Sequence, residues 1–270
     1  MKVSVIIPTY NRAHLLTQAI DSVLAQTFKD FESIIVDNYS TDNTESVVKS
    51  YKDERIRYFK NRNQGLIGVN RNYGIQKSQG EYISFLDDDD LWLPEKLEKQ
   101  VELLDSNKEL GLVYSDIHII GSNGNLLKDT YFHSVKPFRG NVFNELLVAN
   151  FIGSLTVVVR KEALSKVGVF DPKYVIAQDY DLWLRIAECY PVDFIEQPLA
   201  EYRLHVESAS QKNVVLSYKE EVQVKDYWLS RNSNLKREVR GRVRRRKAAI
   251  YSRMILTATR LVFQGFYPKN

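Results

Sequence analysis

Apolar residues along this chain recur with two periods. Short β-branched runs read as strands: KVSVIIP at 2–8, FESIIVD at 31–37, RIRYF at 55–59 and GEYISFLD at 80–87. The segments between them carry helical spacing. Residues 11–26 place Leu15, Ala19, Val23 and Leu24 along one side, 40–51 opens with cap-type residues, and 65–78 is entered through glycine. A further helix is predicted over 93–107, with Pro94 in its first turn and Leu97, Val101 and Leu104 on one face. Strands that alternate with helices predict right-handed βαβ units and a Rossmann-like, mostly parallel sheet flanked by helices. The second half is less regular. It predicts a strand over 110–120, a turn at 122–125, a strand then a helix over 153–164, and a helix over 177–190 with Leu182, Ile186 and Ala187 toward the core.

In such sheets ligands bind outside the carboxyl ends of the strands. The polar residues at those ends are Pro8-Thr9-Tyr10, Asp37-Asn38 and the unbroken run Asp87 to Asp90, and they are expected to converge on one crevice. Adjacent carboxylates repel unless a cation neutralises them. Hard oxygen ligands suit Mg²⁺ or Mn²⁺, ions usually held by one or two carboxylates together with substrate phosphates. A solvated acidic turn that caps the next helix is the plainer alternative, and the position at the ligand end favours the metal. PTYNR follows the first strand where a dinucleotide enzyme would carry G-x-G-x-x-G, and the Walker sequence is missing throughout.

Composition changes the picture little. With 270 residues, 44% of them hydrophobic, the chain can fill one large domain or one domain with an appendage. Cys189 is the single cysteine, so no internal disulfide forms and a reducing compartment is favoured. The first apolar run is short and broken by Pro8, unlike a signal peptide, and no run is long enough to predict a membrane span. Charge is uneven. Residues 236–270 hold eleven Lys and Arg against Glu238, a tail of +10 that leaves, from a total of +4, a body of −6. The tail reads as an amphipathic helix with Val239, Val243, Ile250, Met254 and Leu261 along one side, followed by Phe263, Phe266 and Tyr267. Basic charge with an apolar face suits an anionic membrane surface. Docking on the acidic body and an oligomer contact are the alternatives, and nothing else supports nucleic acid.

Six segments in order, VSVIIPTYNR, IIVDNYSTDNT, GVNRNYG, YISFLDDDDLWLPEKL, QDYDLWLR and YRLHVESAS, resemble the motifs of the family 2 glycosyltransferases of the bacterial surface-polysaccharide type. The resemblance covers about residues 1–210 and implies a GT-A fold, with a nucleotide-sugar half at 1–110, an acceptor half at 111–210 and a basic helical extension at 211–270. It implies transfer with inversion from a nucleoside-diphosphate sugar, a UDP-sugar foremost, to a hydroxyl of a growing, lipid-linked surface glycan. The place would be cytoplasmic, peripheral at the inner face of the cell membrane. Pro8, Thr9 and Tyr10 would then meet the base and ribose, and Asp37 the imide N–H of uracil or thymine. Asp87 and Asp88 would lie near the ribose or sugar, and Arg71 would reach the diphosphate or the first Asp. Asp89 and His205 would hold Mn²⁺ or Mg²⁺. Asp179 matches the general base, an inverting transfer needing a carboxylate to take the acceptor proton. Asp181 reads as structural or acceptor-facing, and Trp92 and Trp183 as core. Three positions depart from the pattern: Asn38 replaces a common Asp, Tyr39 a common Gly, and Gln178 the usual Glu. A non-catalytic nucleotide- or metal-binding module of the same fold is the alternative, and Asp179 argues against it.

Overall fold

The computed structural model describes residues 1–206 and 208–263. The first half is the expected alternation: β1 (Val3–Thr9), α1 (Ala13–Leu24), β2 (Phe31–Asp37), α2 (Thr44–Ser50), β3 (Ile56–Lys60), α3 (Ile67–Lys77) and β4 (Tyr82–Phe85). A short β5 (Leu91–Trp92) and α4 (Lys96–Ser106) follow the aspartates. Next come β6 (Leu112–Gly121), β7 (Leu126–Lys128), α5 (Phe143–Val148), a 3-10 turn at Ser154–Thr156, β8 (Val158–Arg160) and α6 (Lys161–Val167). The chain continues through α7 (Gln178–Cys189), β9 (Val192–Leu204), α8 (Ala209–Lys212), α9 (Val214–Arg231) and α10 (Arg237–Phe263).

The strands form one sheet in the order β3-β2-β1-β4-β8-β6-β9-β5, with β7 on β6. β3, β2, β1 and β4 are mutually parallel. β8 runs against both β4 and β6, and β9 is parallel to β6. Two reversals restore the direction, so the carboxyl ends of β1, β2, β4, β6 and β9 share one edge. Every residue of β1 and β2 is buried, as expected for strands covered on both faces. Alternate side chains of β1 enter different cores. Val3, Val5 and Ile7 pack with α1 and α4, whereas Ile6 packs with Phe85, Trp183 and the helices of the second half. Trp92 and Trp183 are both buried in these cores.

β9 has no counterpart in the sequence pattern. Its thirteen residues include Pro198, and the pairing with β6 shifts register around Asp116, where Ser115 faces Ile195 and Asp116 faces Pro198. A bulge that moves side chains between faces erases the alternation that marks a strand.

The C-terminal helices join the second core through Val224, Trp228, Val239 and Val243. Arg231 pairs with Glu188 at 3.3 Å, and Lys247 pairs with Asp226. This corrects the membrane assignment of the tail's apolar side. Val239, Val243 and Ile250 are buried in the protein, so that stripe is occupied by the body. Exposed apolar residues lie farther along, at Tyr251, Ile255 and Leu256. Phe266 and Tyr267 lie outside the described residues, as do the side chains of Leu261 and Phe263. Among the described residues no helix is long and apolar enough to cross a membrane.

Candidate active site

The four aspartates after β4 each have a different partner. Arg71 on α3 donates to Asp87 at 2.6 Å. Thr9 Oγ1, at the end of β1, donates to Asp88 at 2.8 Å. The Arg12 guanidinium bridges Asp88 at 3.1 Å and Asp89 at 2.8 Å. His205, just past β9, donates from Nε2 to Asp89 at 2.8 Å. The backbone N–H of Arg203 donates to Asp90 at 2.8 Å. These partners do not fully compensate the charge. Burial, and then the neighbouring Asp89, push Asp88 up to about 7, with Arg12 and Thr9 pulling the other way. Burial, followed by Asp89 and Asp87, also holds Asp90 well above the ordinary carboxylate range.

Arg203 and Arg12 are site residues without a role in the sequence reading, although both lie inside quoted motifs. Arg203 is buried and fastens the acidic loop to β9. Its Nε donates to the Asp89 carbonyl at 2.8 Å, and its Nη atoms to Gln18 at 2.9 Å and to the Ser122 carbonyl at 3.3 Å. Arg203→Ala removes three side-chain hydrogen bonds to part-buried acceptors and is expected to cost about 1–3 kcal/mol, read as a lower urea midpoint with an unchanged slope.

Around the nucleotide-side strand ends, the polar groups are ordered by one another. Asn38 N–H donates to the Thr9 carbonyl at 3.0 Å, so the ends of β1 and β2 stay together. Asp37 is fully buried. It accepts from Ser40 N–H at 2.9 Å, from Ser40 Oγ at 2.6 Å, and from Tyr58 OH. Tyr39 occupies the left-handed region at φ 58°, a conformation glycine takes without steric cost. The turn therefore keeps its form despite the missing glycine. Tyr39 and Tyr10 are both exposed beside it, while Pro8 is buried within β1.

Asp179 sits in the first turn of α7, among buried neighbours. Its carboxylate accepts from Ser154 Oγ at 3.0 Å and from Tyr180 N–H at 2.6 Å. Burial raises its pKa, and Arg71 opposes that shift. Asp181 instead faces Arg185, at 2.9 Å, as a structural pair. A cavity of about 390 Å³ joins these parts. Arg12, Arg71 and Asp87 to Asp90 line it together with Asp179, and Ile117, Phe132, Phe151 and Ile176 supply apolar wall. Three lining residues, Arg71, Ser115 and Gln178, hold buried polar atoms without hydrogen-bond partners, at Nε, Oγ and Oε1 respectively. Gly68 on α3 makes room for Gln178, because a Cβ there would lie 2.2 Å from Oε1.

Asp89 and His205 converge on one point with a carboxylate and an imidazole. Among the described residues no set of three or more His, Cys, Asp or Glu side chains forms a metal cage. That donor set fits an ion completed by phosphate oxygens, as Mn²⁺ and Mg²⁺ commonly are. The raised pKa values of Asp88 and Asp90 mark the same place as short of positive charge.

Comparison with known proteins agrees with this fold. The family model described as "Glycosyl transferase family 2" matches residues 4–168. An uncharacterised glycosyltransferase of Rickettsia conorii is 40% identical over 215 residues, covering 78% of this chain and 35% of its own length. The Escherichia coli UDP-Glc:alpha-D-GlcNAc-diphosphoundecaprenol beta-1,3-glucosyltransferase WfgD is 34% identical over 211 residues, 77% of this chain and 79% of the relative. The chain thus spans about a third of one relative and most of the other. Among solved structures, S. aureus TarS 1–349 in complex with UDP-GlcNAc superposes with a TM-score of 0.65 at 19% identity, covering 93% of this chain and 80% of that one. The mannosyltransferase PcManGT from Pyrobaculum calidifontis, in complex with GDP-Man and Mn²⁺, superposes at 0.64 with 18% identity, covering 98% and 79%.

Proposed function

The chain belongs to glycosyl transferase family 2 and has the GT-A fold, and from there we propose that it moves a sugar with inversion from a UDP-sugar to a hydroxyl of a growing, lipid-linked surface glycan. The observation that carries this reading is the placement of Asp179. Its carboxylate lines the cavity that also holds the acidic loop and Arg71. Asp179 takes the proton of the acceptor hydroxyl as that oxygen attacks the anomeric carbon. The bond to the diphosphate breaks on the opposite face, and the diphosphate leaves with the electron pair. A raised pKa makes Asp179 a stronger base than an exposed carboxylate.

The chain's own groups bind and orient the donor. Arg71 and Arg12 meet the diphosphate with positive charge, and Thr9, Tyr10, Asp87 and Asp88 line its path. Asp37 shares its carboxylate between Ser40, Tyr58 and the imide N–H of uracil. Pro8 supports this end from within β1. Asp89 and His205 would hold Mn²⁺ or Mg²⁺, and the ion would supply positive charge against that on the departing diphosphate. The name of the E. coli relative supports both the UDP-sugar donor and the lipid-diphosphate acceptor. The Mn²⁺ of PcManGT supports the metal. An acceptor of that kind places the enzyme at the cytoplasmic face of the membrane. The exposed Tyr251, Ile255 and Leu256 beside Arg253 are the part of α10 that meets it.

The test is calorimetric titration of the full chain with UDP, with and without Mn²⁺. Binding is expected to be about a hundredfold or more tighter with the metal. Binding of GDP or dTDP in place of UDP would move the donor assignment, and no binding of any nucleotide would remove the reading.

A further inference from the structure

Helix α9 grips the base-bearing turn at two points. Glu220 is buried, 3% exposed, and its carboxylate accepts from three consecutive backbone N–H groups. Val175 donates at 2.9 Å, Ile176 at 2.7 Å and Ala177 at 2.9 Å. These amides lead directly into α7, whose own residues supply no side-chain cap. The first N–H groups of a helix have no partner within it, and a carboxylate is favoured there by charge and dipole. On the same helix, Lys225 Nζ donates to Tyr180 OH at 2.7 Å and to the Leu147 carbonyl at 3.1 Å. Asp179 is therefore bracketed, with Glu220 holding the residues before it and Lys225 the residue after it. Val175 and Ile176 line the cavity alongside Asp179.

We propose that Glu220 is a positioning residue for Asp179: by fixing the 175–177 turn it aims the base at the acceptor hydroxyl. This rests on the reading of Asp179 as the base. It gives α9, which lies beyond the residues the family model matches, a part in the reaction. A buried carboxylate is costly, and helix stability alone does not require one from another element. Three charge-assisted bonds to one turn fix direction as well as energy. Displacing a reacting group by about an ångström can cost about a hundredfold in rate.

Glu220→Gln keeps the size but exchanges one acceptor oxygen for an NH₂ group. Hydrogen exchange at the amides of Val175 to Ala177 is expected to quicken by about tenfold or more, with β1 amides unchanged. In transfer assays kcat is expected to fall about ten- to hundredfold, while the donor KM and the affinity for UDP hold. In the Asp179→Asn background, Glu220→Gln should lower the residual rate no further, because both act through one carboxylate. A wild-type kcat in Glu220→Gln, even with a lower melting temperature, would reduce Glu220 to a structural residue. Loss of UDP binding, or full additivity with Asp179→Asn, would equally overturn the proposal. Should Asp179→Asn itself leave transfer intact, the base assignment fails, and the exchange data still report whether Glu220 holds the turn.

Discussion

Asp179→Asn is expected to lower sugar transfer by about 10²–10⁴-fold, the usual contribution of a general base, with UDP affinity unchanged. The amide is nearly isosteric: its oxygen can still accept from Tyr180 N–H, and its NH₂ can donate to Ser154 Oγ once that hydroxyl turns, so the turn keeps its shape. It cannot take a proton. Steady-state transfer and calorimetry on the same preparation measure the two quantities, and near-wild-type transfer would refute the assignment. Stability should move the other way. Burial raises the Asp179 pKa in the fold, so the folded state favours its protonated form. At pH above that pKa the wild type carries the cost of the buried charge, and the Asn variant does not. Asp179→Asn should therefore melt at or above the wild type at neutral pH. The gap should close as pH falls through the raised value, where the wild-type group becomes neutral. Transfer by the wild type should fall over the same range.

Asp89→Ala is expected to abolish the metal dependence of UDP binding and to weaken affinity in Mn²⁺ by about a hundredfold or more. Asp89 is the one carboxylate of the loop that meets both Arg12 and His205. Removing it takes away the anionic ligand and leaves a lone imidazole, too little to hold an ion that prefers oxygen. The residual, metal-free affinity would come from Thr9, Asp37 and the arginines. UDP titrations of wild type and variant, with and without Mn²⁺, separate these terms. Equal metal-dependent binding in both would move the ion to another carboxylate of the loop.

The first half of the fold was legible because each element there has one clean period. Runs such as VSVIIPT are buried on both faces and carry no competing signal. The acidic loop, Asp37 and Asp179 were legible as polar residues at predicted strand ends or in family motifs. β9 was not, because Pro198 and a register shift break its alternation. Arg203 and Arg12 stayed hidden because a basic side chain in a motif does not reveal which carboxylate it meets. Glu220 lies in a helix of mixed composition, and its role exists only through contact with a turn over forty residues earlier. The tail was legible as a helix but not in what it meets. Periodicity located an apolar stripe at Val239, Val243 and Ile250 but could not say what covers it, and the body does.

The single antiparallel strand in mid-sheet bears on how such enzymes could be recombined. β4 and β8 meet over only three residue pairs, from Tyr82 with Arg160 to Ser84 with Val158. That narrow seam invites a crossover that swaps everything after residue 110 between homologues. Such a hybrid would break the wrong bonds. Arg203 and His205 follow far later in the chain, yet they clasp the Asp89–Asp90 loop from β9. β9 also pairs with β6 along the whole length of β6, so a graft that respects the contacts moves the acidic loop together with β6 and β9, separated stretches of sequence that form one spatial unit.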